Sequence, residues 1–474
     1  MSLAPISAAT FDPRATRIAQ RLQEAGFQTV FAGGCVRDAL LGRPPQDIDI
    51  ATSAKPEEVA TLFPKARFIG KAFGVTLISQ EGAHFEVATF RRDVGSRDGR
   101  RPERIEYAPA EQDARRRDFT INGIFFDPVH EKVLDYVEGI SDLQQRIVRA
   151  IGDPLSRFEE DHLRLLRAVR FAATLQFQID PQTLAAMRTS APQIQRISAE
   201  RILQELTRIW TESAPPGTGL RLLHGSGLLR EILPEVEAMV GVAQPPEYHP
   251  EGDVFIHTAL ALDQLREPDP ALAWATLLHD VGKPPTYREV QEEGKLRIRF
   301  DRHAAVGAEM ADAILRRLRA SNELREAVVH AVRQHMRFLD WPNMKASTRR
   351  KIVAHPLFLL DLELHRVDCL ASNGFLDTHE KAKSEYEQLR AERPLPAPWI
   401  NGNDIMRCGI PPGPRVGYWR QRAFDAQLEG QFASREELLD WLTETIKQNP
   451  DVNPAADQAL PSPPRPTPKS DSSA

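Results

Sequence analysis

The residues Gly33-Gly34-Cys35-Val36-Arg37-Asp38, followed by Asp47-Ile48-Asp49-Ile50, decide how the first part of this chain folds. Upstream, Thr29-Val30-Phe31-Ala32 reads as a buried strand, and Val36 to Leu41 opens a helix. The glycine pair lets backbone come close to a phosphate, and the first amides of the helix favour anions. In the second stretch side chains alternate with period two. Asp47 and Asp49 therefore point to one face while Ile48 and Ile50 pack against the other. An isolated Asp-x-Asp is more often two solvated acids on an edge strand. Joined to a glycine turn at this spacing, it outlines a two-metal site for phosphoryl transfer.

A third acid extends the pattern. His84-Phe85-Glu86-Val87-Ala88-Thr89-Phe90 alternates as a strand, with Phe85 and Val87 on one side and Glu86 on the other, and it is expected beside the Asp47 strand in a small sheet. Three carboxylates suffice for two Mg²⁺ ions, which take oxygen ligands, keep several waters and complete their shells from a triphosphate.

On these residues the chain resembles the first motif of the class II tRNA nucleotidyltransferases and bacterial poly(A) polymerases. The likeness continues through Arg116-Arg117-Asp118-Phe119-Thr120-Ile121-Asn122, then Gly139 and Asp142-Leu143, then Glu160-Asp161-His162-Leu163-Arg164, then Glu200-Arg201-Ile202. Each motif also has its own physical reading. Arg116 and Arg117 carry planar, permanently charged forks suited to triphosphate oxygens, and Asp118 and Asn122 are spaced one helical turn apart. Asp161 and Arg164 are spaced to share one side of a helix expected to begin near Phe158, whose apolar stripe is Leu165, Leu166, Val169 and Ala172. A carboxylate and a guanidinium together can copy a base-pairing edge; the alternative is a surface ion pair worth little. Arg164, Arg167 and Arg170 keep this face basic.

The resemblance implies that Asp47, Asp49 and Glu86 are the catalytic acids holding Mg²⁺. It implies nucleotide binding by Gly33, Gly34, Arg37, Arg116, Arg117, Asp118, Asn122, Asp161, Arg164, Arg167 and Arg170, with Arg117 and Asp118 on the ribose. In the family the Asp161–Arg164 pair accepts cytosine and adenine and rejects uracil and guanine. The stretch from Arg91 to Pro102 has no apolar periodicity and reads as a mobile loop. It resembles the loop that accompanies the family's switch from C to A addition.

A second constellation follows the turn at Gln244-Pro245-Pro246-Glu247-Tyr248-His249-Pro250. His257, then His279-Asp280 with Gly282-Lys283, then Asp368 stand in the order of the HD phosphohydrolase superfamily, and His303 and His335 could extend the ligand set. Imidazole with carboxylate suits a divalent transition metal such as Ni²⁺, Mn²⁺ or Co²⁺, and spacing does not choose among them. The resemblance implies phosphatase and 2′,3′-cyclic phosphodiesterase activity.

At 474 residues with 41% hydrophobic residues, the chain is long enough for several cores. Three cysteines, Cys35, Cys369 and Cys408, are too few and scattered for a disulfide framework or thiolate metal site. With no apolar run near the length of a membrane span and no signal-peptide pattern, a soluble, cytoplasmic protein without membrane contact is expected. No obligate protein partner is evident. A net charge of −5 does not mark a nucleic-acid binder, so RNA contact must come from local basic faces.

The expected fold is multidomain, α/β followed by all-α. It comprises a nucleotidyltransferase head with a small mixed sheet (residues 1–150), a helical neck and body (151–244), a helical HD domain (245–393), a helical extension (394–448) and a disordered tail (449–474). The expected reaction is extension of a tRNA 3′ end with CTP and ATP to give CCA. A poly(A) polymerase or an A-only adder would share every head motif. A phosphohydrolase using the head mainly to bind RNA is the rival of another class, and the intact acids at 47, 49 and 86 speak against it.

Overall fold

The computed structural model describes residues 3–45, 47–70, 74–96, 102–292, 295–392 and 396–449. Two compact units divide the chain: Met1–Arg333 with Ala371–Asn373, and Gln334–Leu370 with the chain from Gly374 onward.

The head of the first unit contains the strands β1 (Thr29–Ala32), β2 (Asp49–Thr52), β3 (Arg67–Gly70), β4 (Val75–Gln80), β5 (Ala83–Thr89), β6 (Arg91–Ser96), β7 (Pro102–Tyr107), β8 (Ile124–Asp127) and β9 (Lys132–Asp135). Seven of them form one mixed sheet in the order β3-β4-β5-β2-β1-β8-β9. β1 is buried along its whole length, as its apolar run requires, and runs antiparallel to β2 with Ala32 opposite Asp49. β2 runs parallel to β5 with Ile50 opposite Val87, so the Asp49 and Glu86 positions are neighbours on adjacent strands. One face of the sheet packs Val30, Ala32, Ala51 and Phe125 against Ala110 and Ala114. On the other, Phe11 lies against Phe31 and Phe126 at centroid distances of 4.9 and 5.2 Å.

The expected loop from Arg91 to Pro102 is corrected: its described residues pair as the β6–β7 ribbon, with Arg92 opposite Glu106 and a guanidinium–carboxylate distance of 2.5 Å. Apolar periodicity misses such a ribbon because cross-strand charge pairing contributes to its register. Residues 97–101 of that segment lie outside the described residues.

Beyond the head the unit is largely helical. The Ala199–Glu212 helix meets the Pro270–Leu278 helix through Trp210 and Trp274, whose rings cross edge to face, and Trp274 Nε1 donates to Thr207 Oγ1 at 2.9 Å. Arg221 of the Gly217–Gly225 helix pairs with Asp263 at 2.8 Å. Packing thus continues through the proline-rich turn at 244–250, which falls inside the first unit. An antiparallel ribbon, Tyr287–Glu292 with Lys295–Phe300, interrupts the segment expected to be all helical. The alternation Leu296-Arg297-Ile298-Arg299-Phe300 is the signal that marks it.

In the second unit, Phe338, Trp341, Val353, Phe358 and Leu362 form one core, and Ile400, Ile405, Trp419, Leu438 and Leu442 form another. The expected late helices are present at Asp377–Glu392, Pro414–Leu428 and Arg435–Gln448. Residues 394 and 395 of the expected extension lie outside the described residues, as does the expected disordered tail from 450 onward. Among the described residues no helix is long and apolar enough to cross a membrane.

Candidate active site and candidate metal centre

The turn between β1 and the Gly34–Leu40 helix opens one wall of a cleft of about 910 Å³ lined by eight arginines and six carboxylates. Gly33 has φ +76, and a Cβ there would lie 3.0 Å from Arg117 Nη1 and 3.5 Å from Asp49 Oδ2. Both conformation and crowding therefore require glycine at this position. Asp47 and Asp49 are exposed while Ile48 and Ile50 are buried, which is the expected alternation, although the strand itself begins at Asp49.

Although Asp49 keeps exposed surface, the protein crowded around its carboxyl costs it hydration and pushes it above its ordinary value, the charges of Glu86 and Asp47 push it further, and Arg117 opposes them. Two carboxylates whose charge reaches Asp49 beside an arginine-lined cleft complete, with it, a donor set suited to divalent cations. They are not preassembled. Among the described residues, the groups whose ligand atoms all lie within 4.8 Å of one another belong to the second site. Glu86 stands outside the cleft lining, close enough for its charge to be felt at Asp49.

The nucleotide-binding candidates form a connected polar network. Asp113, buried to 1% exposure, holds Arg116 at 2.8 Å and Arg117 at 3.2 Å, and both arginines line the cleft. Burial alone would raise the Asp113 carboxyl; the charges of Arg117 and Arg116 outweigh it and keep the group ionised. The sequence reading passed over this residue, though its spacing three and four before the arginines on the Ala110–Arg115 helix was visible.

Asp118 is also buried, and it accepts from Arg167 Nε at 2.8 Å, Asn122 Nδ2 at 3.0 Å and the Phe119 amide at 2.9 Å. Burial opposes its ionisation, but Arg167 and these donors hold it well below the usual carboxylate range. Asn122 in turn accepts from Arg37 Nη1 at 2.7 Å. The expected shared helical face of Asp118 and Asn122 is corrected. The helix ends at Arg115 and only a 3-10 turn, Thr120–Asn122, follows, so a bend in the backbone makes the contact. Arg37, Arg167 and Arg170 gather around the Phe171 ring at 5.1, 5.2 and 4.4 Å from its centroid, and Arg170 is tied to buried Glu205 at 2.7 Å. Phe171, another residue the sequence reading did not single out, gives these cations an electron-rich face.

Asp161 and Arg164 both line the cleft, but not from one helix as expected. The first helix spans Pro154–Glu160 and stops at Asp161, whose φ of −151 is extended, and a new one starts at Arg164. Asp161 is free to leave the helical path because its Oδ1 accepts from the Leu163 amide at 3.0 Å, a local bond that competes with helix continuation. The two side chains have different partners. Arg164 donates to the Arg157 and Arg116 carbonyls at 2.8 and 3.1 Å and meets Glu160, while Asp161 lies 3.6 Å from Arg201.

In the second site, His257 on the Val254–Asp263 helix and His279 at the end of the Pro270–Leu278 helix bring their Nε2 atoms to 3.2 Å. Asp280 Oδ2 lies 3.2 Å from His279 Nε2 and 3.8 Å from His257 Nε2, and His303 Nε2 lies 3.7 Å from Asp280 Oδ1. The far nitrogens are anchored. His279 Nδ1 donates to the Thr276 carbonyl at 2.8 Å and His303 Nδ1 to the Phe300 carbonyl at 2.9 Å. A carbonyl can only accept, so Nδ1 of each ring carries a proton and Nε2 is the atom turned toward the Asp280 carboxylate. Once free of a proton at Nε2, these rings beside a carboxylate would make a donor set that fits a divalent metal. The neighbouring imidazoles and Lys283, at 2.7 Å, keep Asp280 ionised against complete burial.

Of the remaining expected ligands, His335 is buried at the start of a 3-10 segment and Asp368 lies on the Phe358–Ala371 helix; both belong to the second unit. His249, in the proline-rich turn, and Glu251, just after it, lie against His257.

Comparison with known proteins places these sites in context. Residues 29–149 match the family model described as Poly A polymerase head domain, 176–240 match the probable RNA and SrmB- binding site of polymerase A, and 248–370 match the HD domain. A Limosilactobacillus fermentum CCA-adding enzyme is 43% identical over 202 residues, covering 42% of this chain and about half the length of that relative (50%). The multifunctional CCA protein of Xanthomonas campestris pv. campestris is 34% identical over 404 residues, 81% of this chain and 94% of that one. The crystal structure of the Bacillus stearothermophilus CCA-adding enzyme in complex with CTP aligns over 92% of this chain and 98% of its own, with a TM-score of 0.68 and 26% identity.

Proposed function

The chain belongs to the CCA-adding enzyme family, and from that membership we propose that it completes the 3′-terminal CCA of tRNA with CTP and ATP, releasing pyrophosphate. The observation that supports this most directly is the single cleft that joins Asp47 and Asp49 to Arg117, Asp118, Asp161 and Arg164. The terminal hydroxyl of the tRNA attacks the α-phosphorus, and the pyrophosphate leaves in line. Asp47, Asp49 and Glu86 would hold Mg²⁺, which when bound supplies charge stabilisation at the reacting phosphoryl group. Arg117 and Arg116, braced by Asp113, orient the triphosphate, and Asp118 with Arg167 borders the ribose. Asp161 and Arg164 offer acceptor and donor atoms from opposite sides of a helix break, so that protein selects the base.

The second site supports a further activity, hydrolysis of phosphate esters including 2′,3′-cyclic phosphates, with His257, His279, Asp280 and His303 holding Ni²⁺, Mn²⁺ or Co²⁺. Asp368 is kept as an expected ligand on motif order, and His335 as a candidate extension of the set. The segments 1–150, 151–244, 245–393 and 394–448 are kept as functional divisions within this reading, and a cytoplasmic setting goes with it.

The test is incubation with tRNA lacking its 3′ end and with CTP, ATP or both. Ordered addition of two C and one A is the expected outcome. Incorporation of A alone onto ends already carrying CC, or untemplated A runs, refutes it.

A further inference from the structure

A carboxylate not accounted for by either proposed activity lies behind His257. Gly252, with φ +132, turns the chain just before the Val254–Asp263 helix, and Asp253 caps that helix by accepting from the Ile256 amide at 2.7 Å. The turn carries Glu251 inward. Its Oε1 lies 2.6 Å from His257 Nδ1 and 2.9 Å from His249 Nδ1, and the Glu251 and His257 side chains are 7% and 0% exposed. Its Oε2 is buried and makes no hydrogen bond among the described residues.

We infer that Glu251 is a positioning residue of the second site: by accepting the Nδ1–H of His257 it fixes the tautomer and ring orientation that turn Nε2 toward Asp280, and His249 holds the carboxylate from its other side. The inference rests on the reading of His257, His279 and Asp280 as metal ligands. An ionised carboxylate can only accept, so the protons of both contacts sit on the imidazoles. The other two rings are anchored by neutral backbone carbonyls. His257 differs in leaning on a full negative charge, which raises the basicity of its Nε2 and makes it the stronger donor. Burying a carboxylate with one oxygen idle is costly. That cost is offset if the charge acts on a ligand.

Two measurements on the full chain test this. Imidazole ¹⁵N spectra of the metal-free protein, with the His257 signal assigned through His257→Ala, should show Nδ1–H in wild type and loss of that fixed tautomer in Glu251→Ala. Glu251→Gln, whose amide oxygen still accepts, should restore it. Ni²⁺ and Mn²⁺ affinities, from competition with a chromogenic chelator, should fall about 10- to 100-fold in Glu251→Ala and less in Glu251→Gln, with melting temperatures confirming that the variants stay folded. Wild-type His257 protonated on Nε2, or unchanged metal affinity in Glu251→Ala, overturns the inference. So does a second bound ion that disappears in His249→Ala, since Glu251 would then be a ligand itself. Wild type that binds neither metal sinks the ligand reading of the site, while the tautomer measurement still decides whether Glu251 fixes His257.

Discussion

Replacing Asp118 with Asn keeps shape and removes charge, and the network around it allows the cost to be worked out. Asn at 118 can keep the contacts of Oδ1, which accepts from the Asn122 side chain and the Phe119 amide. The other oxygen position is the sensitive one. Oδ2 accepts from Arg167 Nε at 2.8 Å and lies 2.6 Å from Nη2, so an amide nitrogen there would face two donors. Hydrogen bonds to charged groups contribute about 1.5–3 kcal/mol each, and breaking a buried ion pair costs about 3–5 kcal/mol. The Arg167 side chain is 33% exposed, so water recovers part of this. A net loss of about 2–3 kcal/mol follows, lowering the melting temperature of the first unit by a few degrees. Thermal melts and a double-mutant cycle with Arg167→Gln provide the assay. The double variant should be little worse than Arg167→Gln alone, giving a coupling of about 2 kcal/mol, and KM for CTP and ATP should rise at least tenfold. Full additivity, or Asp118→Asn as stable as wild type, refutes the reasoning.

Other outcomes follow from the same contacts. Asp49→Asn should abolish nucleotide addition yet raise stability at neutral pH in chelator: the folded carboxyl is raised above its ordinary value, so wild type loses stability as pH rises through the window between the two. Scanning calorimetry should show the gap closing as pH falls below that window, and a gap that widens counts against a raised Asp49 carboxyl. Substituting Asp161 or Arg164 should relax discrimination among the four nucleotides in single-turnover assays more than it weakens triphosphate binding. Asp280→Ala should eliminate 2′,3′-cyclic phosphate hydrolysis across Ni²⁺, Mn²⁺ and Co²⁺ while CCA addition persists, and parallel loss of both would contradict two independent sites. Cys35, buried and pushed up to about 11 by that burial, should resist alkylation in the native protein at pH 8.

The head sheet was legible because a half-buried strand alternates: Ile48 and Ile50 against Asp47 and Asp49, Phe85 and Val87 against Glu86. Adjacency of β2 and β5 followed from their shared acidic face. The helix break at Asp161 was not legible, since Pro154 to Leu175 carries no glycine or internal proline to announce it and the break rests on a side-chain bond to the Leu163 amide. Nor were Asp113, Phe171 and Glu251 found. Each supports a residue that the motifs did name, and the contacts of Glu251 with His257 and of Phe171 with Arg37 depend on folding rather than on helical spacing. The β6–β7 ribbon was misread for the opposite reason: its cross-strand Arg92–Glu106 pair looks, in one dimension, like the solvated charge of a loop.

The charge of the cleft explains why support from behind matters. An arginine-rich wall awaiting a triphosphate would repel itself and let its long side chains wander, and ordering them on binding would cost rotamer entropy. Here Arg116 and Arg117 are pinned by Asp113, Arg167 by Asp118 and Arg170 by Glu205, each on a carboxylate buried in the first unit. Much of the ordering is thereby done during folding, and the incoming anion meets forks already fixed in direction. Asp161 is held less firmly, by Arg201 at 3.6 Å. On the proposed reading, rigid groups would serve the invariant triphosphate and a looser carboxylate the variable base, the division of labour that a polymerase without a template needs if C and A are to be accepted in turn by the same two side chains.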